Sequence, residues 1–255
     1  PSVVALDRRT DKMIAVGDNV TDCYLDQKIF YPGGNAVNVA VNCKRNGFDE
    51  AAYMGVFGDD INARHLKWAL DQEGVSYSRS RTIYAPSGQP GVNLVDGDRV
   101  FVTGRKDTAQ HIVRLRITPE DLDYIREFSL CHTSCYSSIE LELPVIASAC
   151  DISFDFSDRV DDPEYRKAVC PHIKYAFFSG SHLDEDDIKA LADDCHSLGT
   201  PTVGITRGNK GSIFSENGKW YRQGIIPTEV VDTMGAGDSL IAGFLTKRIL
   251  GASVE

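Results

Sequence analysis

Along this chain, short apolar runs closed by glycine or acidic residues alternate with longer stretches in which apolar positions recur every three or four residues. Met13 to Gly17, Ala51 to Phe57, Ser129 to Thr133, Asp151 to Phe156, Ile173 to Phe178 and Pro201 to Thr206 read as strands. Gly33 to Asn46, Ile61 to Glu73, Thr118 to Phe128, Ile139 to Cys150 and Ser239 to Ile249 read as helices. Strand and helix alternating in this way is the pattern of βα units. It predicts an α/β fold: a Rossmann-like, doubly wound, mostly parallel sheet covered on both faces. Two places break the alternation. Gly91 to Val102 reads as a hairpin with Asp96-Gly97 at its turn, and Ser212 to Ser215 with Lys219 to Arg222 read as two further short strands.

Local signals refine the helices. Asn35 is the expected N-cap of the first, with Gly47 as its terminator, and Lys247 and Arg248 before Gly251 suit the end of the last. Asn35, Asn38 and Asn42, spaced by three and four, put three amides on one helical face. Asparagine is a poor interior helix residue, and a polyhydroxy ligand facing these donors and acceptors would give the stripe a reason. Asn42 taken alone reads as simply exposed. Ligands of such sheets bind beyond the carboxyl ends of the strands, which sets Asp18, Asn19 and Asp22 near the binding rim. Asp59 and Asp60 read either as helix-start carboxylates or as ligand contacts, and Arg105, Lys106 and Asp107 as a solvated loop.

A chain of 255 residues can bury a sizeable core and suits one α/β domain with at most a small appendage. The formal net charge of −10 argues against nucleic acid or an anionic membrane as a partner, since either needs a basic face. The seven cysteines are scattered, without a CxxC pair or zinc spacing, and read as reduced thiols. Their one cluster, Cys131-His132-Thr133-Ser134-Cys135, falls on a predicted buried strand and reads as packing. There is no run of about 20 apolar residues and no signal-peptide pattern, so a soluble, cytoplasmic protein is expected. Pro1 to Lys12 reads as a leader, with Met13 as the native start.

The stretch richest in chemistry is Val231-Asp232-Thr233-Met234-Gly235-Ala236-Gly237-Asp238. The apolar segment from Gly224 leads into its glycine turn, and a helix follows. The first N–H groups of a helix lack internal partners and carry the positive end of the dipole, so an anion such as phosphate is the natural occupant. Asp238 in that place is either a helix-start carboxylate or a general base that deprotonates a hydroxyl attacking the phosphate. No Walker A sequence and no protein-kinase set of motifs is present, and Gly17-Asp18-Asn19-Val20 is not the Gly-x-Gly-x-x-Gly turn of a nicotinamide dehydrogenase.

Asp232-Thr233-Met234-Gly235-Ala236-Gly237-Asp238 resembles the C-terminal signature of the ribokinase-like (PfkB) carbohydrate kinases, and Gly33-Gly34-Asn35-Ala36-Val37-Asn38-Val39-Ala40 resembles their N-terminal Gly-Gly signature. This resemblance implies an ATP-dependent sugar kinase with Asp238 as catalytic base and Gly235, Ala236 and Gly237 as its anion hole. It implies sugar contacts at Asp22, Gly34, Asn35 and Asn38, and nucleotide contacts at Thr206, Gly208, Gly211 and Thr233. Mg²⁺ is implied, with Glu185 as a candidate near it, although the Asn of the family's Asn-x-x-Glu element is absent; a monovalent cation is left open. Asp155-Phe156-Ser157-Asp158-Arg159 resembles the family's Asp-x-Asn-x-Arg element with Ser157 in place of Asn, and Arg159 there faces either phosphate or a structural partner. The resemblance also implies a small β-sheet lid, from about residues 20–31 and 82–103, through which a homodimer forms. The family usually continues past the Asp238 helix, so a truncated C-terminus is expected. Within the family, Asp155 to Asp158, the Asp-Thr-Met form of the signature and the short length look closest to the fructosamine kinases, which implies phosphorylation of fructoselysine at its 6-hydroxyl. Fructose, ribose, a keto-deoxy sugar acid or a nucleoside stand as alternative substrates, and a silent sugar- or nucleotide-binding regulator as the alternative function.

Overall fold

Met13 to Val16 lose all contact with solvent in β1 (Lys12–Gly17), the continuous apolar run that a strand buried on both faces requires. The computed structural model describes residues 12–95 and 98–254. Lys12, expected in a leader, is already paired in β1 opposite Glu50; the rest of that leader lies outside the described residues. The chain then forms β2 (Val20–Tyr24), β3 (Ile29–Gly33), α1 (Asn35–Asn46), β4 (Glu50–Phe57), α2 (Ile61–Glu73), β5 (Arg81–Thr82), β6 (Gly91–Val95) and β7 (Asp98–Thr103). There follow α3 (Ala109–Ile112), α4 (Pro119–Ile125), β8 (Leu130–Ser134), α5 (Leu143–Ala147), β9 (Asp151–Asp155), α6 (Pro163–Val169) and β10 (Tyr175–Ser179). The last elements are α7 (Glu185–Ser197), β11 (Thr202–Thr206), β12 (Ser212–Glu216), β13 (Lys219–Gln223) and α8 (Ala236–Ile249).

Among the described residues the main sheet runs β13-β12-β11-β10-β9-β8-β1-β4-β5. It is parallel from β5 through β11 and closes with an antiparallel ribbon, β11-β12-β13. Alternation along β1 splits the interior in two. Met13 and Ala15 join α1, α2 and α8 on one face, while Ile14 and Val16 join the apolar side chains of α4, α5 and α7 on the other. A second sheet, β3-β2-β6-β7, stands apart as the expected lid. Its Asp96-Gly97 turn lies outside the described residues. Thr82, expected at the start of the lid, instead pairs with Phe57 of β4 at the edge of the main sheet.

Several helices differ from expectation for local reasons. The stretch Ile139 to Cys150 is a 3₁₀ turn, Glu140–Glu142, followed by the short α5. Pro144 explains the break, because it lacks an N–H and is tolerated only in the first turn of a helix. The helix after Thr118 stops at Ile125, with Thr118 and Asp121 forming a capping box at its start. α6 and α7 add to the expected helices, started by Asp162 and Asp184, whose carboxylates accept from Tyr165 and Asp187 N–H. The apolar segment before the glycine turn is irregular and open to solvent, with Ile226 88% exposed.

Candidate active site

The site assembles where β1 ends and α1 begins. Gly34 sits at φ 103°, and a Cβ there would lie 2.8 Å from Asn19 Cα and 2.9 Å from the Asp18 carbonyl. Only glycine meets both demands. The close approach brings the Asp18 carboxylate onto the helix start, where it accepts from Asn35 N–H at 2.7 Å, Ala36 N–H at 3.3 Å and Ser137 Oγ at 3.2 Å. Asp18 is therefore the carboxylate that caps α1. Asn35, expected as N-cap, is the first helical residue, and its side chain is used elsewhere. Burial pushes the Asp18 carboxyl above its ordinary range, against the pull of the helix N–H groups.

Asn35 links two carboxylates. Its Nδ2 donates to Asp155 Oδ2 at 2.8 Å and to Asp238 Oδ1 at 2.9 Å, and Asn38 Nδ2 donates to Asp238 Oδ2 at 2.8 Å. Both oxygens of Asp238 are thus held by amides from α1. The Asn35 carbonyl oxygen faces His132 Nε2 at 2.9 Å, and His132 Nδ1 lies 3.0 Å from Ser153 Oγ. Burial pushes the His132 ring down to about 3, so it is neutral. Donor counting then puts the ring proton on Nε2, donating to Asn35, while Ser153 donates to Nδ1. Asp155 is half-buried. Burial, with repulsion from Asp238 and Asp18, pushes it up to about 7 against hydrogen bonds from Ser157 N–H and Asn35.

These contacts exist because α1 and α8 start at the same rim and pack along each other, so that Asn38 meets Asp238, Asn42 meets Ser239 and Cys43 meets the Ala242 carbonyl. Gly235, in the left-handed region at φ 70°, immediately precedes α8, and Asp238 is the third residue of that helix. The expected anion hole is only partly available: Ala236 N–H is spent on the Thr233 carbonyl at 3.2 Å. The Gly235 and Gly237 N–H groups meet no carbonyl among the described residues, and a Cβ on Gly237 would touch nothing. Asp232 ties this turn to the lid. Its Oδ2 accepts from Tyr24 O–H at 2.5 Å, and its Oδ1 from Met234 N–H at 2.8 Å.

Asp22, buried on β2, needs a glycine at Gly33 on the neighbouring β3, two positions along from its own partner Tyr31, since a Cβ there would lie 2.1 Å from Asp22 Oδ2. Asp22, Asn38, Asp232 and Gly235 line one cavity of about 630 Å³. Asn42, expected to be simply exposed, lines it as well. The structure thus gathers Asp22, Gly34, Asn35, Asn38, Gly235 and Asp238 around the start of α1.

The remaining expected residues lie on the same rim, beyond β10 and β11. Thr206 ends β11 and donates to the Phe178 carbonyl at 3.3 Å. Gly208 at φ 56° and Gly211 at φ 83° shape the turn, which closes through Arg207 N–H to the Gly211 carbonyl at 2.8 Å. A Cβ on Gly211 would lie 2.0 Å from the Gln223 carbonyl. Glu185 is committed to Arg222, at 2.5 Å, and to Arg207, at 3.2 Å, and the Arg222 guanidinium holds it below its ordinary range. Among the described residues no group of three or more His, Cys, Asp or Glu side chains forms a metal cage. Arg159 packs its guanidinium over Tyr165, 4.8 Å from the ring centre.

His132 and Ser153 were not legible as site residues, and Asp18, expected at the rim, was not legible as the cap of α1. The available signals were an acid set directly after the glycine that ends a strand, and a histidine inside an otherwise apolar strand.

A doubly wound sheet, a small β lid, and a carboxylate at a glycine-started helix facing an amide-bearing helix define a ribokinase-like sugar kinase fold. The family described as pfkB family carbohydrate kinase matches residues 3–255, and the chain belongs to it. The chain is 45% identical over 236 residues to fructosamine kinase FrlD of Bacillus subtilis (strain 168), covering 92% of this chain and 82% of that one. It is 36% identical over 238 residues to fructoselysine 6-kinase of Escherichia coli (strain K12), covering 91% and 87%. The structure of Arabidopsis thaliana ribokinase complexed with ribose and ATP matches the fold with a TM-score of 0.77 at 22% identity, over 95% of this chain and 87% of that one.

Proposed function

We propose that this protein is an ATP-dependent fructosamine kinase that phosphorylates fructoselysine on its 6-hydroxyl. The observation that carries the reading is Asp238, held on both oxygens by Asn35 and Asn38 at the start of a helix whose neighbouring Gly235 and Ser239 line the cavity that holds Asp22 and Asn38. The amide donors on both oxygens fix the carboxylate in place, as a general base requires. Asp238 takes the proton of the attacking hydroxyl as its oxygen bonds to phosphorus and the bond to the leaving diphosphate breaks. The N–H groups of Gly235 and Gly237, with the positive end of the α8 dipole, stabilise the charge on the transferring group. Asp22, Gly34, Asn35 and Asn38 orient the sugar.

ATP supplies the phosphoryl group, and Thr206, Gly208, Gly211 and Thr233 would hold it along the rim. The absence of a side-chain metal cage among the described residues suits Mg²⁺ carried on the phosphates, since that ion keeps several waters and takes only one or two carboxylates. Glu185 would reach such a water shell only by leaving Arg222 and Arg207. The lid keeps water from competing for the phosphoryl group, and the Tyr24–Asp232 contact supports closure over the turn. Exposed Ile29, Phe30 and Tyr31 on β3 support a homodimer through the lid. No helix among the described residues is long and apolar enough to cross a membrane, and a kinase drawing on ATP is placed in the cytoplasm by this reading.

ADP release from Mg·ATP against fructoselysine, fructose, ribose, a keto-deoxy sugar acid and a nucleoside tests the assignment. Fructoselysine should lead the others in kcat/KM by at least about tenfold, a difference of about 1.4 kcal/mol in transition-state binding. A lead by another sugar would replace the substrate, and silence on all would remove the activity.

A further inference from the structure

The cavity that holds Asp22 and Asn38, about 630 Å³, is lined by polar, apolar and charged side chains. The sugar end is polar. Following α1 and α2 toward their C-terminal ends, the lining passes from Asn38 to Val41, Ala69 and Leu70 and then to Arg45 and Glu73. Resting on the fructosamine reading, we propose that Arg45 and Glu73 form a binding site for the amino-acid head group carried by the sugar: Arg45 for the α-carboxylate, Glu73 for the α-ammonium.

Three observations support it. Asn38, Asn42 and Arg45 follow one another at i, i+4 and i+7, so a single face of α1 runs from the Asp238 amide contact to the guanidinium. Seven residues of helix rise about 10 Å. In a fructosamine linked through the lysine ε-nitrogen, six bonds separate sugar C1 from the amino-acid Cα, about 7 Å when extended at ~1.2 Å per bond. The remainder is within the reach of an arginine side chain.

The apolar middle of the cavity matches the four methylenes of that linker, which gain from leaving water. The two charged residues, finally, are already paired: Arg45 Nε donates to Glu73 Oε2 at 2.9 Å and Nη2 to Oε1, while Nη1 makes no bond among the described residues. Their side chains are 61% and 26% exposed. A pair this open adds little to stability, and so the fold does not depend on it. The amino-acid zwitterion has the complementary arrangement, one negative and one positive group on the same carbon. A planar guanidinium that already binds one carboxylate has donors left for a second.

The test uses wild type, Arg45→Gln and Glu73→Gln with three fructosamines: that of lysine, that of 6-aminohexanoate, which lacks the α-ammonium, and that of 1,5-diaminopentane, which lacks the carboxylate. Arg45→Gln should raise KM about tenfold for the lysine and 6-aminohexanoate adducts, as expected for a lost charge-assisted contact, and leave the diaminopentane adduct and every kcat unchanged. Glu73→Gln should raise KM for the lysine and diaminopentane adducts and spare the 6-aminohexanoate adduct. This crossed pattern is one that a merely structural role would not produce. Equal losses on all three adducts, or no change on any, would overturn the proposal. Wild-type turnover of all three with one kcat/KM would overturn the head-group site and leave the kinase assignment standing. Absence of turnover on every fructosamine would overturn both.

Discussion

His132 Nε2 lies 2.9 Å from Asn35 Oδ1, and this contact decides which way the Asn35 amide faces. With its oxygen fixed by the ring proton, the amide must turn its nitrogen to Asp155 and Asp238. The reversed amide would set an oxygen against two carboxylates. A buried, neutral histidine thus positions the amide that holds the Asp238 carboxylate.

Replacing His132 by Leu should therefore lower kcat by about tenfold or more, through misplacement of Asp238, with a small change in KM for ATP. It should also cost about 1–3 kcal/mol of stability by leaving Asn35 Oδ1 and Ser153 Oγ without a buried partner. His132→Gln, whose amide can donate to Asn35, should recover part of the kcat loss. Steady-state kinetics and thermal melts of both variants check this, and equal activity of Leu, Gln and wild type would contradict it.

Asp155 gives a pH dependence with a definite sign. Its carboxyl is raised to about 7 in the folded protein and sits near 4 when unfolded, so between those values the native state binds the extra proton. The stability it contributes is complete below pH about 4 and is lost as pH rises toward 7. The melting temperature of wild type should fall more steeply from pH 5 to pH 8 than that of Asp155→Asn. Parallel curves would contradict it.

Part of this site was legible in sequence because its chemistry is local. Gly33-Gly34 and Gly235-Ala236-Gly237-Asp238 are contiguous, and the Asn35, Asn38, Asn42 stripe follows from helical spacing. The alternating cores followed from the apolar runs in the same way. What was not legible depends on pairings distant in sequence. Asp18 was placed at the rim, yet its capping of α1 requires the chain to leave the main sheet, form the hairpin of β2 and β3 and return beside it. His132 read as packing because the strand around it is apolar, and only the adjacency of β8 to β9 and to the start of α1 supplies Ser153 and Asn35 as partners. Ala236 N–H was counted in the anion hole because nothing in the sequence tells that the Thr233 carbonyl turns back to take it. Arg45 and Glu73 lie 28 residues apart on different helices, and no spacing rule joins them.

Gly34→Ala should be among the most damaging single-methyl changes in the chain. The new Cβ meets backbone at 2.8 and 2.9 Å, which cannot rotate away, at a φ that L side chains avoid. A loss of at least about 2 kcal/mol is expected, read as a drop of several degrees in melting temperature. An unchanged melt would show that the entry to α1 is not the close approach described.

Tyr24→Phe removes the hydroxyl that joins the lid to Asp232 at 2.5 Å. Hydrogen bonds to charged groups contribute about 1.5–3 kcal/mol, so the closed lid should be populated less and KM for the sugar should rise several-fold while global stability holds. Unchanged KM would mean that this contact does not bear on closure.

The most direct test of the whole account is Asp238→Asn, assayed by ADP release with Mg·ATP and fructoselysine. Loss of a general base should lower kcat by about 10²–10⁴-fold, with thermal stability and nucleotide binding retained. Turnover within tenfold of wild type would contradict the role assigned to Asp238 and with it the mechanism built around Asn35 and Asn38.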